Sequence, residues 1–566
     1  MILPRWFLFL IGRVVRRPVL RHINAFEAAT HRPREIQQAL LRRILAHHAD
    51  TDFGRQHHFR AIGSVEDFRR HLPIAGYEYF EPYIARVRAG NTSALLADPV
   101  KMFALTSGTT SARKFIPVTS QYLADYRRAW NIWGLRAYRA HQSVRLRPIV
   151  QMSSDCDEFR TEAGIPCGSV TGLTAKMQKR IIRWLYCVPP AVAQIKDPAA
   201  KYYAVLRLGM PKDVGVIVAA NPSTLVNLAR AGDSEKESLI RDIHDGTLSQ
   251  RFDMPPSVRE QIQRRLKRHP DRARQLERLA DRHGHLYPRH YWNDCLLGCW
   301  TGGSVGNYLR QFPRYFGDNP VRDVGLIASE GRMSIPFSDF SPSGVLDITS
   351  HFFEFVPENE INQAQPTVLE AHEVKEGERY FILPTTAFGL YRYNIYDVVQ
   401  VTGFYNRTPL VEFLSKGSLF ANITGEKLSE YHVTRAMSAT QQEMNLEFTT
   451  YSLAPCWNDD QPYYGLFIEE QDGLAPEQGR RLAEALDRYL CRANIEYESK
   501  RHSERLGPVR IEWLKPGTWA KWDHERLLRS GGTPEQYKHP CLIGDPDFAE
   551  TIRQQLTVPS PAGMVR

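Results

Sequence analysis

An α/β fold in two domains, one large and one small, is the architecture the sequence predicts. At 566 residues the chain is long for a single core. The apolar run Val214-Gly215-Val216-Ile217-Val218-Ala219-Ala220 reads as a strand buried on both faces, and helical patterns flank it at 196–208 and 222–231. Such alternation implies a substantial parallel sheet covered by helices. Beyond about residue 425 the pattern changes to short strands separated by one or two helices, as in a small α+β domain.

The chain opens on an arm, residues 1–26. Six apolar residues, Trp6 to Ile11, lie between Arg5 and Arg13, and Arg16, Arg17 and Arg21 follow before the first acidic residue, Glu27. A run that short cannot cross a bilayer, which takes roughly twenty residues, and no small-residue cleavage site follows it. Two readings stay open: a peripheral membrane contact through residues 3–21, with arginines on anionic lipid, or a segment packed on the domain. The arm accounts for half of the net charge of +10, so the body is nearly balanced and no nucleic-acid partner is expected.

Further along, Pro33 to His48 sets Ile36, Leu40 and Ile44 at helical spacing. Ser64, with Asp67 three residues on, caps a helix running through Phe68 and Leu72. The charged, helical segment 234–285 reads as a surface excursion. Gly425-Glu426-Lys427 is the expected junction between a larger domain, 27–425, and a smaller one, 426–566. The latter holds strands at Thr449–Leu453, Tyr463–Ile468 and Val509–Leu514 and a helix at 475–492. With 42% hydrophobic and 24% charged residues, the chain is not disordered as a whole. Its eight cysteines show no disulfide framework and read as buried thiols in a reducing compartment, which makes a cytoplasmic location the expectation. His283, His285, His290, Cys295 and Cys299 cluster, but without the paired spacing of a zinc site; Cys295 to Trp300 reads instead as a buried strand.

Chemistry is concentrated in three strings. Thr106-Ser107-Gly108-Thr109-Thr110-Ser111-Ala112-Arg113-Lys114 brings hydroxyls, a glycine and a lysine together, as a phosphate cradle requires. It lacks the two glycines and the helix of a Walker A loop, and Phe115 to Val118 reads as a strand, so a loop between two strands is expected. Taken alone, an ordinary polar hairpin explains it too. Ile327-Ala328-Ser329-Glu330-Gly331 follows a strand-like Val324 to Leu326. In Pro384 to Val399 a strand ends in a turn that delivers Asp397, a carboxylate suited to accept two hydrogen bonds at once.

Together these strings resemble those of the acyl-adenylate-forming superfamily. Ser-Gly-Thr-Thr-x-x-x-Lys is similar to its phosphate loop, with Ser111 and Arg113 where many members have glycine and proline. Ala328-Ser329-Glu330 resembles its second adenylation signature. Gly389-Leu390-Tyr391-Arg392-Tyr393, then Asp397 and Val401-Thr402-Gly403-Phe404, resemble the auxin-responsive acyl-acid-amido synthetases, the jasmonate- and auxin-conjugating enzymes and their bacterial relatives, which often carry a glycine where this chain has Tyr396. Phe352 to Pro357 is similar to that family's central strand, Gly425 to Glu430 to its hinge, and Gln536-Tyr537-Lys538-His539-Pro540 to its C-terminal lysine motif. The resemblance covers about residues 30 to 545.

This resemblance implies that 27–425 is an adenylating α/β domain with mixed, mostly parallel sheets and a β-barrel-like subdomain, and that 426–566, the small α+β domain, is mobile. It implies an ATP- and Mg²⁺-dependent ligase, monomeric, that adenylates a carboxylic acid and passes the acyl group to an amino acid. Ser107, Gly108, Thr109, Thr110 and Lys114 would surround the phosphates. Ala328 and Ser329 would border adenine, Glu330 would hold the metal, and Asp397 with Phe404 would hold the nucleoside. Lys538 and Glu330 would be catalytic. Ser153, Thr171, Gly302 and Gly303, in small or polar segments near strand ends, are candidates for the acyl pocket. Thioester formation with coenzyme A or a carrier thiol is the alternative within the same chemistry, and a silent nucleotide-binding regulator the alternative outside it.

Overall fold

The helix Pro33–His48 forms where its apolar spacing places it, burying Leu40, Leu41, Ile44 and Leu45. Ser64 and Asp67 close a capping box over the helix Val65–His71. The computed structural model describes residues 20–557 except 107–113, 179–182, 362, 418–419, 422, 425, 427, 447, 449, 458–461, 471–473, 503–505, 531–536 and 546. Ser107, Gly108, Thr109, Thr110, Gly425, Lys427 and residues 1–19 of the arm therefore lie outside the described residues, while 20–26 are helical and bury Ile23 and Phe26.

Ile149–Gln151, Val216–Val218, Leu296–Cys299 and Val321–Asp323 lie side by side in that order, all parallel. Helices Pro198–Gly209 and Pro222–Ser234 flank the strand Val216–Val218 in sequence, and Leu206, Leu225 and Leu228 join Val150, Ile217 and Leu297 in one core. The segment expected as a surface excursion is three helices, Lys236–Asp245, Pro256–Gln263 and Pro270–His283. Their apolar faces, Leu239 and Ile243, Val258 and Ile262, and Leu276, belong to that same core, so only the charged faces are excursion.

Met102–Thr106 and Lys114–Val118 pair antiparallel with Thr106 opposite Lys114, so the two ends of the hydroxyl-rich string lie on paired strands. Pro166–Gly168 lies parallel on the other side of Met102–Thr106. A third sheet has seven strands in the order Ser334–Ile335, Gly344–Leu346, Thr408–Lys416, Asp397–Tyr405, Arg379–Thr385, Phe352–Pro357, Leu369–Glu370, with all neighbours antiparallel. The expected barrel-like subdomain is thus an open sheet with two edges, and "mostly parallel" describes the first sheet only. Short links explain this: the chain turns from Tyr405 to Thr408 too tightly for a parallel crossover.

The small domain sets helices Glu430–Met444 and Pro476–Ala493 against the hairpin Ser452–Trp457 and Pro462–Glu469, with Arg510–Leu514 added parallel. Leu453, Leu466, Leu482 and Leu486 form its core, a cluster whose buried members all fall between Ala421 and Leu542. None of the eight cysteines is in a disulfide; seven are buried and Cys491 is half-buried. Among the described residues no helix is long and apolar enough to cross a membrane.

Candidate active site

At the C-terminal edge of the parallel sheet the chain leaves each strand on a small or polar segment. After Leu296–Cys299 the turn Trp300–Gly303 is held by Asp323, whose Oδ2 accepts from Thr301 N at 2.6 Å and Thr301 Oγ1 at 2.8 Å. Burial pushes the Asp323 carboxyl up to about 6, against hydrogen bonds from Gly325 and Thr301 that pull it down. Only glycine fits Gly303, at φ +63° with the Phe413 ring 3.2 Å from where a Cβ would stand. At Gly302 a Cβ would lie 3.0 Å from Pro342. Ser153, half-buried, follows the first strand. Thr171 opens the helix Val170–Lys176, its Oγ1 3.4 Å from Ser154 N and 2.8 Å from Ser169 Oγ.

A second group gathers on Glu330, at the turn of the hairpin formed by Ile327–Ala328 and Gly331–Arg332. Its side chain is buried beside Tyr122 and Tyr393, whose phenols are pushed up by burial and further by the Glu330 charge. Tyr122 Oη donates to Ser329 O at 3.1 Å, and Ser329 Oγ donates to Leu105 O at 3.4 Å. The turn is thereby fastened to the strand that runs into the hydroxyl-rich loop. On the returning strand, Lys114 Nζ stands 5.6 Å from the centre of the Tyr77 ring, and Tyr77 Oη accepts from Phe115 N at 2.9 Å. Tyr77 also neighbours Tyr393, so Lys114, Ser329 and Glu330 share one wall.

The third string is mostly an anchor. Tyr391 is fully buried and stacks on Phe53. Arg392 Nε meets Glu354 Oε2 at 2.9 Å while Arg69 Nε meets Oε1 at 2.8 Å, and Arg392 Nη1 donates to Leu72 O at 2.7 Å. Tyr396 adopts φ +60°, the left-handed region where glycine is at ease. Asp397, buried, opens the strand whose Val399 pairs with Phe413. In that pairing Asp397 lies opposite Lys416. Phe404 does not join it. It lies seven residues down the same strand, about 23 Å away at roughly 3.3 Å per residue, and is exposed. Its nearness to Asp397 in sequence becomes distance in an extended chain.

The small domain contributes Lys538, whose Nζ lies 4.5 Å from the centre of the Trp300 ring and 5.2 Å from that of Phe413. Asn221, at the end of the second parallel strand's loop, donates from Nδ2 to Tyr537 O at 2.9 Å. The sequence reading missed Trp300, Phe413, Asn221 and Tyr77 as site residues. Trp300 adjoins the glycine turn and could have been found; Phe413 and Tyr77 carry no local signal. At the junction, the buried Glu426 accepts from Ile423 N at 2.7 Å, from Thr424 N at 2.8 Å and from Tyr464 Oη, which ties it to the small domain's hairpin.

Comparison with known proteins matches the GH3 family N-terminal domain to residues 22–321, the GH3 family central domain to 344–416 and the GH3 family C-terminal domain to 431–547. A jasmonoyl–L-amino acid synthetase of Nicotiana attenuata is 27% identical, covering 92% of this chain and 93% of its own length. An indole-3-acetic acid-amido synthetase of Arabidopsis thaliana is 24% identical over 92% of this chain and 94% of its own. The fold matches that of the GH3.15 acyl acid amido synthetase with a TM-score of 0.80, at 21% identity over 94% of each chain.

Proposed function

The chain belongs to the GH3 family, and from that premise we propose that it is an ATP-dependent ligase joining a carboxylic acid to an amino acid through an acyl-adenylate. In the first half-reaction a carboxylate oxygen attacks the α-phosphorus of ATP and pyrophosphate leaves. In the second, the amine attacks the acyl carbon, loses a proton, and AMP departs with the carbon–oxygen bond's electron pair. The observation that carries this reading is the position of Lys538: a lysine from the small domain stands over Trp300 at the sheet edge where Gly302 and Gly303 turn.

Each residue then has a task. Lys114, with Ser107, Gly108, Thr109 and Thr110, surrounds the β- and γ-phosphates, and Ala328 and Ser329 border the base. Asp397 fixes the ribose. Lys538 neutralises charge developing between the carboxylate and the α-phosphate, where a point charge contributes most in a water-poor site. Ser153, Thr171, Gly302 and Gly303 face the acid. Mg²⁺ fits Glu330: such ions are ordinarily held by one or two carboxylates together with phosphate oxygens, and among the described residues no group of three His, Cys, Asp or Glu gathers to cage one. Bound there, the ion would reduce the repulsion between the two reacting anions. The small domain, from 426, moves between the half-reactions so that one site serves both.

ATP–pyrophosphate exchange across a panel of benzoate, indole-3-acetate, jasmonate and dodecanoate, followed by mass spectrometry with mixed amino acids and coenzyme A, tests this. Exchange with at least one acid and an amide product are expected. No exchange with any acid, or a coenzyme A thioester as the product, overturns the reading.

A further inference from the structure

The residues on either side of Lys538 are fixed to the body of the small domain. Asp523, on the helix Thr518–Ser530, accepts at Oδ1 from Tyr537 Oη at 2.7 Å and meets His539 Nδ1 at 2.8 Å. From the strand Ser452–Trp457, Ser452 Oγ donates to Pro540 O at 2.7 Å and lies 2.9 Å from His539 Nε2. Trp519 and Trp522 pack edge-on against the imidazole. With Tyr537, His539 and Pro540 all pinned, the Lys538 backbone moves only as the small domain moves.

One side chain of the large domain grips this segment. Asn221 is almost wholly buried, and its amide is divided between two tasks. Oδ1 accepts from Ser223 N at 3.0 Å and caps the helix Pro222–Ser234, while Nδ2 donates across the domain boundary to Tyr537 O at 2.9 Å. The cap fixes the amide's orientation, so the donor is aimed before the small domain arrives.

We propose that Asn221 is an interdomain latch, a positioning residue that holds Lys538 over Trp300 for adenylation and is released for amide formation. The proposal rests on the two-step reading above. Because the segment around Lys538 is rigid, a single hydrogen bond at Tyr537 biases the position of the whole small domain. Its loss acts on the half-reaction that uses Lys538 and not on the other, whereas a merely structural role would slow both.

Asn221→Ser and Asn221→Asp test this, since both keep a cap acceptor for Ser223 N and neither can donate as the amide does. The acid of the panel that supports exchange serves as substrate, and its synthetic adenylate with hydroxylamine reports the second half-reaction. Both variants are expected to lose about tenfold in pyrophosphate exchange, the size of one buried hydrogen bond, with aminolysis of the adenylate within about twofold of the native rate. Native exchange in the serine variant, or equal losses in both half-reactions, overturns the latch. Independently of activity, dyes at the exposed positions Glu260 and Glu484 report the interdomain distance in the full chain with Mg·ATP. A shift toward longer distances in the serine variant is expected, and an unchanged distribution overturns the latch. Failure of native protein to exchange pyrophosphate with any acid sinks the two-step reading instead and leaves the distance measurement to decide the latch.

Discussion

Tyr396 holds φ +60° one residue before Asp397, in the backbone region where glycine is at ease. A side chain in this region costs about 1 kcal/mol, which is offset by packing of the ring against the cluster of Val356, Phe381, Leu383 and Val398. Tyr396→Ala keeps the strain and loses the ring, whereas Tyr396→Gly loses both. The glycine variant should therefore be the more stable of the two by about 1 kcal/mol in urea unfolding, opposite to the usual order of these residues; the usual order would mean no strain. Asp323 gives a pH signature. Burial raises it to about 6, so the folded state binds the proton more tightly than the unfolded chain, where it keeps the ordinary carboxyl value of 3.8. The stability this contributes is present below about pH 4 and is lost as pH rises through about 6. Urea midpoints at pH 4.5 and 6.5 should differ less in Asp323→Asn than in the native protein. Lys538→Ala should slow adenylation by about a hundredfold without moving the melting temperature, because its side chain is exposed. Normal exchange in that variant would remove the lysine from the mechanism.

Between strands Phe352–Pro357 and Asp397–Tyr405, the segment 386–396 is built around one buried carboxylate. Glu354 has no exposure and pairs with Arg392 and Arg69 together. Arg392→Met leaves it with Arg69 alone and should cost about 3 kcal/mol in urea unfolding, the lower end for breaking a buried pair. A loss under about 1 kcal/mol would show that Arg69 alone suffices. In the sequence, Gly-Leu-Tyr-Arg-Tyr reads as a chemical signature; in the fold its arginine fastens a loop. Individual elements were legible, because the helix Pro33–His48 and the strand Val216–Val218 declare themselves by local spacing. The openness of the seven-stranded sheet was not, since each strand's partner is chosen by contacts remote in sequence, such as Phe353 against Pro384. Phe413 illustrates the same limit: it reaches Lys538 and Gly303 only through tertiary placement.

The two domains meet through a few polar grips. Besides Asn221, Arg310 donates to Gln441 Oε1 at 2.8 Å and to Ser438 Oγ at 2.9 Å, and the Arg379 guanidinium lies 4.3 Å from the centre of the Tyr431 ring. Arg310→Ala should lengthen the interdomain distance in its own right. Because it shares no partner with Asn221, the double variant with Asn221→Ser should show the sum of the two shifts in free energy; strong non-additivity would mean that the grips engage as one unit. The domain order was legible from the change of pattern near residue 425, whereas the grips depend on which surfaces meet. Finally, the eight sequestered thiols bear on how the protein survives chemical insult. Burial raises even the half-buried Cys491 to about 11, and Cys295 and Cys541 to about 12. At neutral pH almost none is thiolate, the form that reacts. Peroxide and iodoacetamide should therefore leave the folded enzyme untouched while they modify it readily once it unfolds, so the rate of alkylation becomes a direct clock of global opening.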